Sequence, residues 1–201
     1  KNQKRDVRLT GNIGKPILSE RKITSKTIFV IEASSYQITY SQIFKAKYAS
    51  ILNISPDHLE RHRTFANYVK SKFKLFKNQS SNDYSFLNNK DKQLKKEIKK
   101  NKIKSKIVYV NSNLISKYKN KIRNPYFFTD GNRENLSFIF AISKILNLKK
   151  NNIFKNINNF KGLKFRQQII YKSKKLLVIN DSKSTSFSST KPLLESFENI
   201  Y

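Results

Sequence analysis

The segment Tyr48–Lys72, YASILNISPDHLERHRTFANYVKSK, constrains the fold more than any other stretch. Tyr48–Leu52 is a short apolar run of the kind that forms a buried strand. A Pro56-Asp57 turn follows, with both histidines of the chain, His58 and His62, close behind. From Phe65 onward the apolar residues Phe65, Tyr68, Val69, Phe73 and Phe76 recur at helical spacing, so a helix begins there. A strand that delivers a polar turn and then a helix is the unit of an open α/β sheet. Such sheets bind ligands beyond the carboxyl ends of their strands. Lys72 falls on the apolar stripe of this helix, whereas Lys70, Lys74 and Lys77 are expected to be solvated. An inward lysine either snorkels its head to water along the apolar face or is desolvated enough to lose its proton. The neutral amine combines with CO2 to form a carbamate, an anionic oxygen ligand.

The same alternation extends along the chain. Thr27–Ile31, TIFVI, has the length and β-branching of a buried parallel strand. Glu32 ends it, and Ser34, Ser35 and Gln37 follow. This polar cluster suits a ligand edge, and equally the N-cap of a following helix. Gly11-Asn12-Ile13-Gly14 reads as a turn, whether an ordinary loop or a close backbone approach to a ligand; a short helix is expected at Ile17–Glu20. Residues 1–10 carry no strong pattern, and 78–90 read as a polar connection. Asp91–Ile103 reads as a Lys-rich, solvated helix, Lys106–Val110 as a strand and Pro125–Thr129 as a short edge strand. Helices are expected at Asn135–Asn147 and Asn151–Phe160, with Gly162 as a C-terminal stop. Leu176–Ile179, the polar loop Asn180–Thr185 and a helix at Thr190–Phe197 restart the strand–loop–helix unit, so a domain boundary is expected near residues 160–166.

Composition removes several classes of function. There is no cysteine, hence no disulfide framework and no thiolate metal site. No apolar run approaches the ~20 residues needed to span a bilayer; Leu136–Leu148 is interrupted by Ser143 and Lys144. No apolar segment follows the basic KNQKRD, so no secretory signal is visible and a cytoplasmic protein is the default. The first residue is not methionine, which points to truncation or processing. The net charge of +29 raises the alternative of a basic nucleic-acid-binding module. Yet Lys, Asn, Ile, Phe and Tyr share AT-rich codons, and the basic residues are spread over the whole chain. A genomic bias is the simpler account. No serine sits in a Gly-x-Ser-x-Gly elbow, so a hydrolase triad is set aside. Glu32 and His58, each just past a strand, would meet near Lys72 if their strands are neighbours. A carboxylate there suits Mg2+, which takes oxygen ligands together with phosphates.

These motifs together resemble the Mur ligase family, and within it the D-glutamate-adding branch (MurD type). The resemblance is carried, in order, by Gly11–Gly14, Glu32-Ala33-Ser34-Ser35-Tyr36-Gln37, Leu52–His62, Tyr68–Lys72, Gly162–Arg166 and Ile179–Thr185. Asp57-His58-Leu59 with a lysine fourteen residues after the histidine is shared across the family. The Ser-Ser-Tyr-Gln and Asn-Asp-Ser-Lys pieces are narrower. The resemblance implies an α/β fold with a largely parallel sheet flanked by helices. Residues 1–162 would be the central ATP-binding-type domain, lacking its phosphate-loop strand and helix, and 163–201 the beginning of a Rossmann-like, amino-acid-binding C-terminal domain. The implied activity is an ATP-dependent carboxylate–amine ligase of peptidoglycan precursor synthesis, hence of cell-wall biogenesis, cell shape and division. It would add D-glutamate to UDP-N-acetylmuramoyl-L-alanine through an acyl phosphate, with Mg2+ and ATP.

By position, the resemblance makes Glu32, His58 and Lys72 the catalytic centre and metal ligands, Lys72 as a carbamate. It places Asn12, Ser34 and Gln37 on the UDP-sugar, Asn135 at the adenine, and Arg166 and Asp181 on the nucleotide. Lys183 and Thr185 would place substrate and D-glutamate. The sequence departs from the family at Gly131, Phe165 and Ser184, where histidine, histidine and alanine are usual. The Gly-rich loop ending in Gly-Lys-Ser/Thr, whose backbone N–H groups and lysine cradle ATP, is absent from the 201 residues. The chain is therefore expected to be a fragment, inactive alone, of a monomeric enzyme. Another Mur-type or a folylpolyglutamate-type ligase is the alternative within the class.

Overall fold

The computed structural model describes residues 5–184 and 187–200. It divides into two compact units, one ending at Tyr109 and the other beginning at Val110.

In the first unit, β1 (Val7–Gly11) pairs in parallel with β2 (Ile28–Glu32), Val7 opposite Ile28 and Gly11 opposite Glu32. The helix α1 (Ser35–Tyr40) follows β2 after a two-residue turn. A second sheet has the order β3-β4-β5, from Tyr48–Ile51, Tyr84–Asn88 and Lys106–Val110, with β3 and β4 parallel. Between β3 and β4 run α2 (Leu59–His62) and α3 (Phe65–Phe73), the latter continuing into a 3-10 turn at Lys74–Phe76. The helix α4 (Lys92–Lys100) joins β4 to β5. Thr64 caps α3 by accepting from the Asn67 amide at 3.2 Å. Asp91 caps α4 through the Leu94 amide at 2.9 Å, while its other oxygen takes the Ile54 amide at 2.8 Å. That second bond anchors the loop leaving β3, the loop that carries His58.

The helical stripe read from the sequence is the stripe that is buried. Tyr68, Val69, Phe73 and Phe76 close the core over Ala49, Ile51, Ile54, Leu87 and Leu94, with Phe65 packed at its edge. Fully burying a side chain of this size contributes about 1.5–3 kcal/mol, so the stripe decides which face of α3 turns inward. Lys74, expected to be solvated, instead donates to the Thr39 carbonyl at 3.1 Å and is only half exposed. The α3 face next to the core packs on α1, and a long side chain there reaches the backbone near the end of α1.

In the second unit, α5 (Asn113–Ser116) packs on α6 (Asp130–Ile145), and α7 (Lys150–Asn158) follows. Ile115, Ile122, Phe127, Leu136, Ile153 and Ile157 form its core, with Tyr118, Phe140 and Phe154 packed around it. The strands β6 (Gln168–Lys172) and β7 (Leu177–Asn180) pair antiparallel, and α8 (Phe187–Leu194) follows. Pro125–Thr129 is not the expected edge strand. Pro125–Phe127 is a 3-10 turn, because the Asn124 side chain accepts from the Tyr126 amide at 3.1 Å. The same side chain donates to the carbonyls of Ile157 and Phe160 at 2.9 and 2.7 Å.

Three strands, β1, β4 and β6, lie where no strand was expected. In β4 two positions that look like loop, Ser85 and Asn88, are buried. Ser85 Oγ lies 2.7 Å from both Gln79 Oε1 and Ser105 Oγ. In β1, Arg8 breaks the apolar pattern but is held by Asp6 at 3.0 Å, Glu20 at 2.9 Å and the carbonyls of Arg21 and Lys22. The polar positions of both strands are held by side chains outside the strand, from Asp6 and Gln79 close by in the chain to Glu20 and Ser105 further off.

Candidate functional site

The parallel register brings Gly11 opposite Glu32 at the carboxyl ends of β1 and β2. Gly11 has φ +102°, and a Cβ there would collide with the Glu32 carbonyl oxygen, so only glycine fits. The next residue, Asn12, donates its amide to the Glu32 carbonyl at 2.8 Å and its side-chain Nδ2 to Oε1 of Glu32 at 3.3 Å. Asn12 and Glu32 therefore share one strand edge. Two residues on, Ser34 and Gln37 are bonded to each other. Ser34 Oγ accepts the Gln37 amide at 3.3 Å, and Gln37 Oε1 accepts the Ser34 amide at 2.9 Å. This is a reciprocal capping box at the start of α1, so the helix-cap reading of that cluster holds.

His58 adopts φ +52°, a left-handed conformation that histidine tolerates better than most residues. It precedes α2 without capping it by its side chain, which leaves the imidazole available. The ring lies 3.5 Å from Asp57 and 3.6 Å from Glu60 and is 44% exposed. Its closest ring neighbour is Tyr36 of α1, centroid to centroid 5.0 Å. Tyr36 in turn stacks on His62 at 5.5 Å with planes 5° apart. His62 meets Tyr68 of α3 edge-on at 5.4 Å and is bonded to Ser35 Oγ at 3.0 Å. The Lys72 ammonium rests over the Tyr68 ring at 5.0 Å. A continuous column of rings thus runs from His58 to Lys72. Desolvation, reinforced by the Glu60 carboxylate, raises the Tyr36 hydroxyl above the usual tyrosine value.

In the second unit a separate network converges on Gln167. Its Oε1 accepts from Asn132 Nδ2 at 2.6 Å and from Thr129 Oγ1 at 3.3 Å. Its amide donates to Asp181 Oδ1 at 2.9 Å, and Ser184 Oγ donates to Asp181 Oδ2 at 2.7 Å. Lys183 donates its amide to the Phe165 carbonyl at 2.9 Å, while its side chain is exposed. Phe165 and Gln167 both have positive φ, +62° and +46°; these bonds hold the strained loop that presents Arg166. Tyr126 lies close enough to feel both candidate nucleotide-binding charges. Burial raises its hydroxyl, Arg166 opposes that shift and Asp181 adds to it. Asn135 is exposed on α6, one turn beyond the buried Asn132. Thr185 lies outside the described residues.

The sequence pattern of the Mur ligase middle domain matches residues 10–149. This chain belongs to the Mur ligase family. It is 33% identical to a UDP-N-acetylmuramoylalanine–D-glutamate ligase of Caldicellulosiruptor bescii, over 99% of this chain and 48% of that protein. It is 31% identical to the protein of that name from Rickettsia felis, over 98% of the chain and 47% of the relative. The chain spans about half the length of these curated relatives. In fold it is similar to the MurF ligase of Thermotoga maritima solved in complex with ADP. The TM-score is 0.68 at 15% identity, covering 97% of this chain and 51% of that one. The parallel-sheet α/β architecture expected from the sequence is that of the Mur ligases.

Within this Mur ligase chain, the residues suited to Mg2+ divide. Glu32 offers a half-buried carboxylate and His58 an exposed imidazole, donor types that suit a cation shared with phosphate oxygens. Lys72 as an ammonium does not fit as a ligand, because a head over the face of a tyrosine ring is the place of a cation. Only its carbamate would suit. Among the described residues no hydrogen bond or ion pair joins Glu32 to His58 or Lys72, and their strands belong to different sheets. Tyr36, His62, Tyr68, Tyr126, Asn132 and Gln167 were not singled out from the sequence as site residues. A histidine four positions after His58, on the same turn of chain, was the one available signal for the first group.

Proposed function

We propose that this chain is the central part of a ligase that adds D-glutamate to UDP-N-acetylmuramoyl-L-alanine at the expense of ATP, in peptidoglycan precursor synthesis. The observation that carries this reading is the likeness, along nearly the whole chain, to relatives named for that activity. In the proposed reaction the substrate carboxylate takes the γ-phosphoryl group of ATP, releasing ADP and leaving an acyl phosphate. The amine of D-glutamate attacks the carbonyl carbon, and the tetrahedral intermediate collapses with loss of inorganic phosphate and a proton. Bound Mg2+ supplies neutralisation of charge developing on the phosphoryl oxygens.

Glu32 and His58 hold the metal in this reading, with Lys72 joining them as a carbamate. Asn12, Ser34 and Gln37 face the UDP-sugar; Asn135 faces the adenine, and Arg166 and Asp181 the nucleotide. Lys183 and Thr185 orient substrate and D-glutamate. We assign residues 1–162 to the central domain and 163–201 to the start of the C-terminal domain. Among the described residues no helix is long and apolar enough to cross a membrane, and a cytoplasmic monomer is the form we propose. A basic nucleic-acid-binding module is not favoured, since the whole-chain similarity is to ligases.

The decisive assay measures ADP release by the intact protein with UDP-N-acetylmuramoyl-L-alanine and a panel of amino acids. D-Glutamate alone should support turnover. Equal rates with another amino acid would sink the substrate assignment. The isolated 201 residues, which hold no Gly-rich Lys-Ser/Thr loop, should show no D-glutamate-dependent turnover. A mass increase of one CO2, lost at low pH and absent from Lys72→Ala, tests the carbamate.

A further inference from the structure

We propose that His62 is a positioning residue: wedged between Tyr36 and Tyr68, it orients His58 through the Tyr36 ring. The inference rests on the reading of His58 as a metal-site residue.

His58 has little else to fix it. It sits on an exposed turn with φ +52°. Its nearest charged neighbours, Asp57 and Glu60, are 3.5 and 3.6 Å away, beyond good hydrogen-bond length. The ring that faces it is Tyr36, at 5.0 Å and tilted by 50°. Tyr36 is backed on its own account by His62, in near-parallel stacking at 5.5 Å. His62 is held on two further sides. Ser35, buried at 6% exposure, bonds its Nε2 at 3.0 Å, and the buried Tyr68 presents to it edge-on at 5.4 Å. Stacking on one face and a bond at one nitrogen together restrain the His62 ring against rotation. Tyr68 is itself fixed in the core over Ala49, Ile51 and Leu87, so the edge it presents to His62 does not move.

The residue type fits the task. Phenylalanine would keep the stacking and lose the bond to Ser35; asparagine or glutamine would keep a bond and lose the stack. Histidine does both. Arg61 supplies a second link from α2 to α1, its guanidinium 5.6 Å from the Tyr36 ring centre and its Nη2 2.6 Å from the Tyr40 hydroxyl. If Arg61 alone fastened the turn, His62 would be replaceable without consequence. That is the competing account the experiment excludes or upholds.

The test uses the intact protein and two readouts. In the first, the His58 Hε1 resonance, identified by its loss in His58→Gln, reports the ring current of Tyr36. His62→Ala should move that line toward the position of a free imidazole, and His62→Phe should hold it near the wild-type shift. In the second, Mn2+ replaces Mg2+ and free Mn2+ is followed by electron paramagnetic resonance. His62→Ala should weaken Mn2+ binding about tenfold, as loss of groups that orient metal ligands does, and His62→Phe should recover most of the affinity. A His58 line and a Mn2+ affinity that stay at wild-type values in His62→Ala, with unchanged thermal unfolding, would overturn the proposal. Failure of the metal reading is separable. If His58→Gln leaves Mn2+ affinity unchanged, that reading falls, and the His58 line alone then decides whether His62 positions it.

Discussion

Replacing Gln79 with leucine tests whether the first unit is held together by a buried polar hub. Gln79 is 2% exposed. Its Nε2 donates to the Ala46 carbonyl at 2.8 Å and the Tyr84 carbonyl at 3.2 Å. Its Oε1 accepts from Ser85 at 2.7 Å and Ser105 at 2.9 Å. One side chain therefore joins the residues leading into β3 and β5 with β4 itself. Leucine keeps the volume, so the cavity contribution is small. With the Oε1 acceptor gone, one serine hydroxyl can donate to the other across their 2.7 Å contact, which leaves a single O–H without an acceptor. The Tyr84 carbonyl keeps the ladder bond of its parallel pairing with β3, so the damage falls on the Ala46 carbonyl, which loses its donor, and on that one hydroxyl. An unsatisfied buried group costs about 1–3 kcal/mol, so the pair should cost roughly 3 kcal/mol, a large share of the ~5–15 kcal/mol typical of a domain. Urea unfolding followed by far-UV circular dichroism reads it directly. With a slope of about 1–3 kcal/mol per molar urea, the midpoint should fall by roughly 1–3 M. A midpoint shift below about 0.3 M would refute the reasoning, since it would mean that other donors replace Gln79 at no cost. Gln79→Glu should be worse at neutral pH than at pH 4, because the ionised carboxylate would face two carbonyl oxygens without a proton to share.

Asp83 makes the first unit acid-sensitive. Its carboxylate accepts from the Ser80 amide at 2.6 Å and hydroxyl at 2.8 Å and pairs with Lys45 at 3.1 Å, and chiefly the amide bond lowers its pKa below the usual aspartate value. Because the folded value is the lower one, the stability it contributes is present above the unfolded pKa and lost as pH falls through the folded pKa. Asp83→Asn should flatten the decline of the urea midpoint in that acid window; an unchanged slope would count against it. Gly162 has φ +78°, and a Cβ there would lie 3.1 Å from two Tyr126 ring atoms. Gly162→Ala should cost about 1–2 kcal/mol in thermal unfolding, and equal stability would show that the ring can shift freely. Ser34→Ala removes the capping box of α1 and should cost about 1 kcal/mol. A loss of turnover in that variant far beyond its loss of stability would be the mark of substrate contact.

The sequence by itself determined the strands β2, β3, β5 and β7 and the inward stripe of α3. Both are local properties: runs of β-branched residues, and apolar residues at a period of 3.6, need no distant partner to be legible. It also determined that Glu32 lies at the end of one strand and His58 in the loop after another, since short apolar runs show where their loops begin. What it left undetermined depended on side-chain partners that no local periodicity reveals. β4 is a strand because Ser85 meets Gln79 and Ser105, and β1 because Arg8 finds Asp6, Glu20 and two carbonyls. Lys72 on an apolar stripe was visible as a question; that its head lies on Tyr68, at one end of a ring column reaching His58, required α1 and α3 to pack. The spacing of His58 and His62 placed both on one turn of chain. Only the tertiary contacts with Ser35, Tyr36 and Tyr68 gave them different surroundings, one exposed and loosely held, the other pinned between rings.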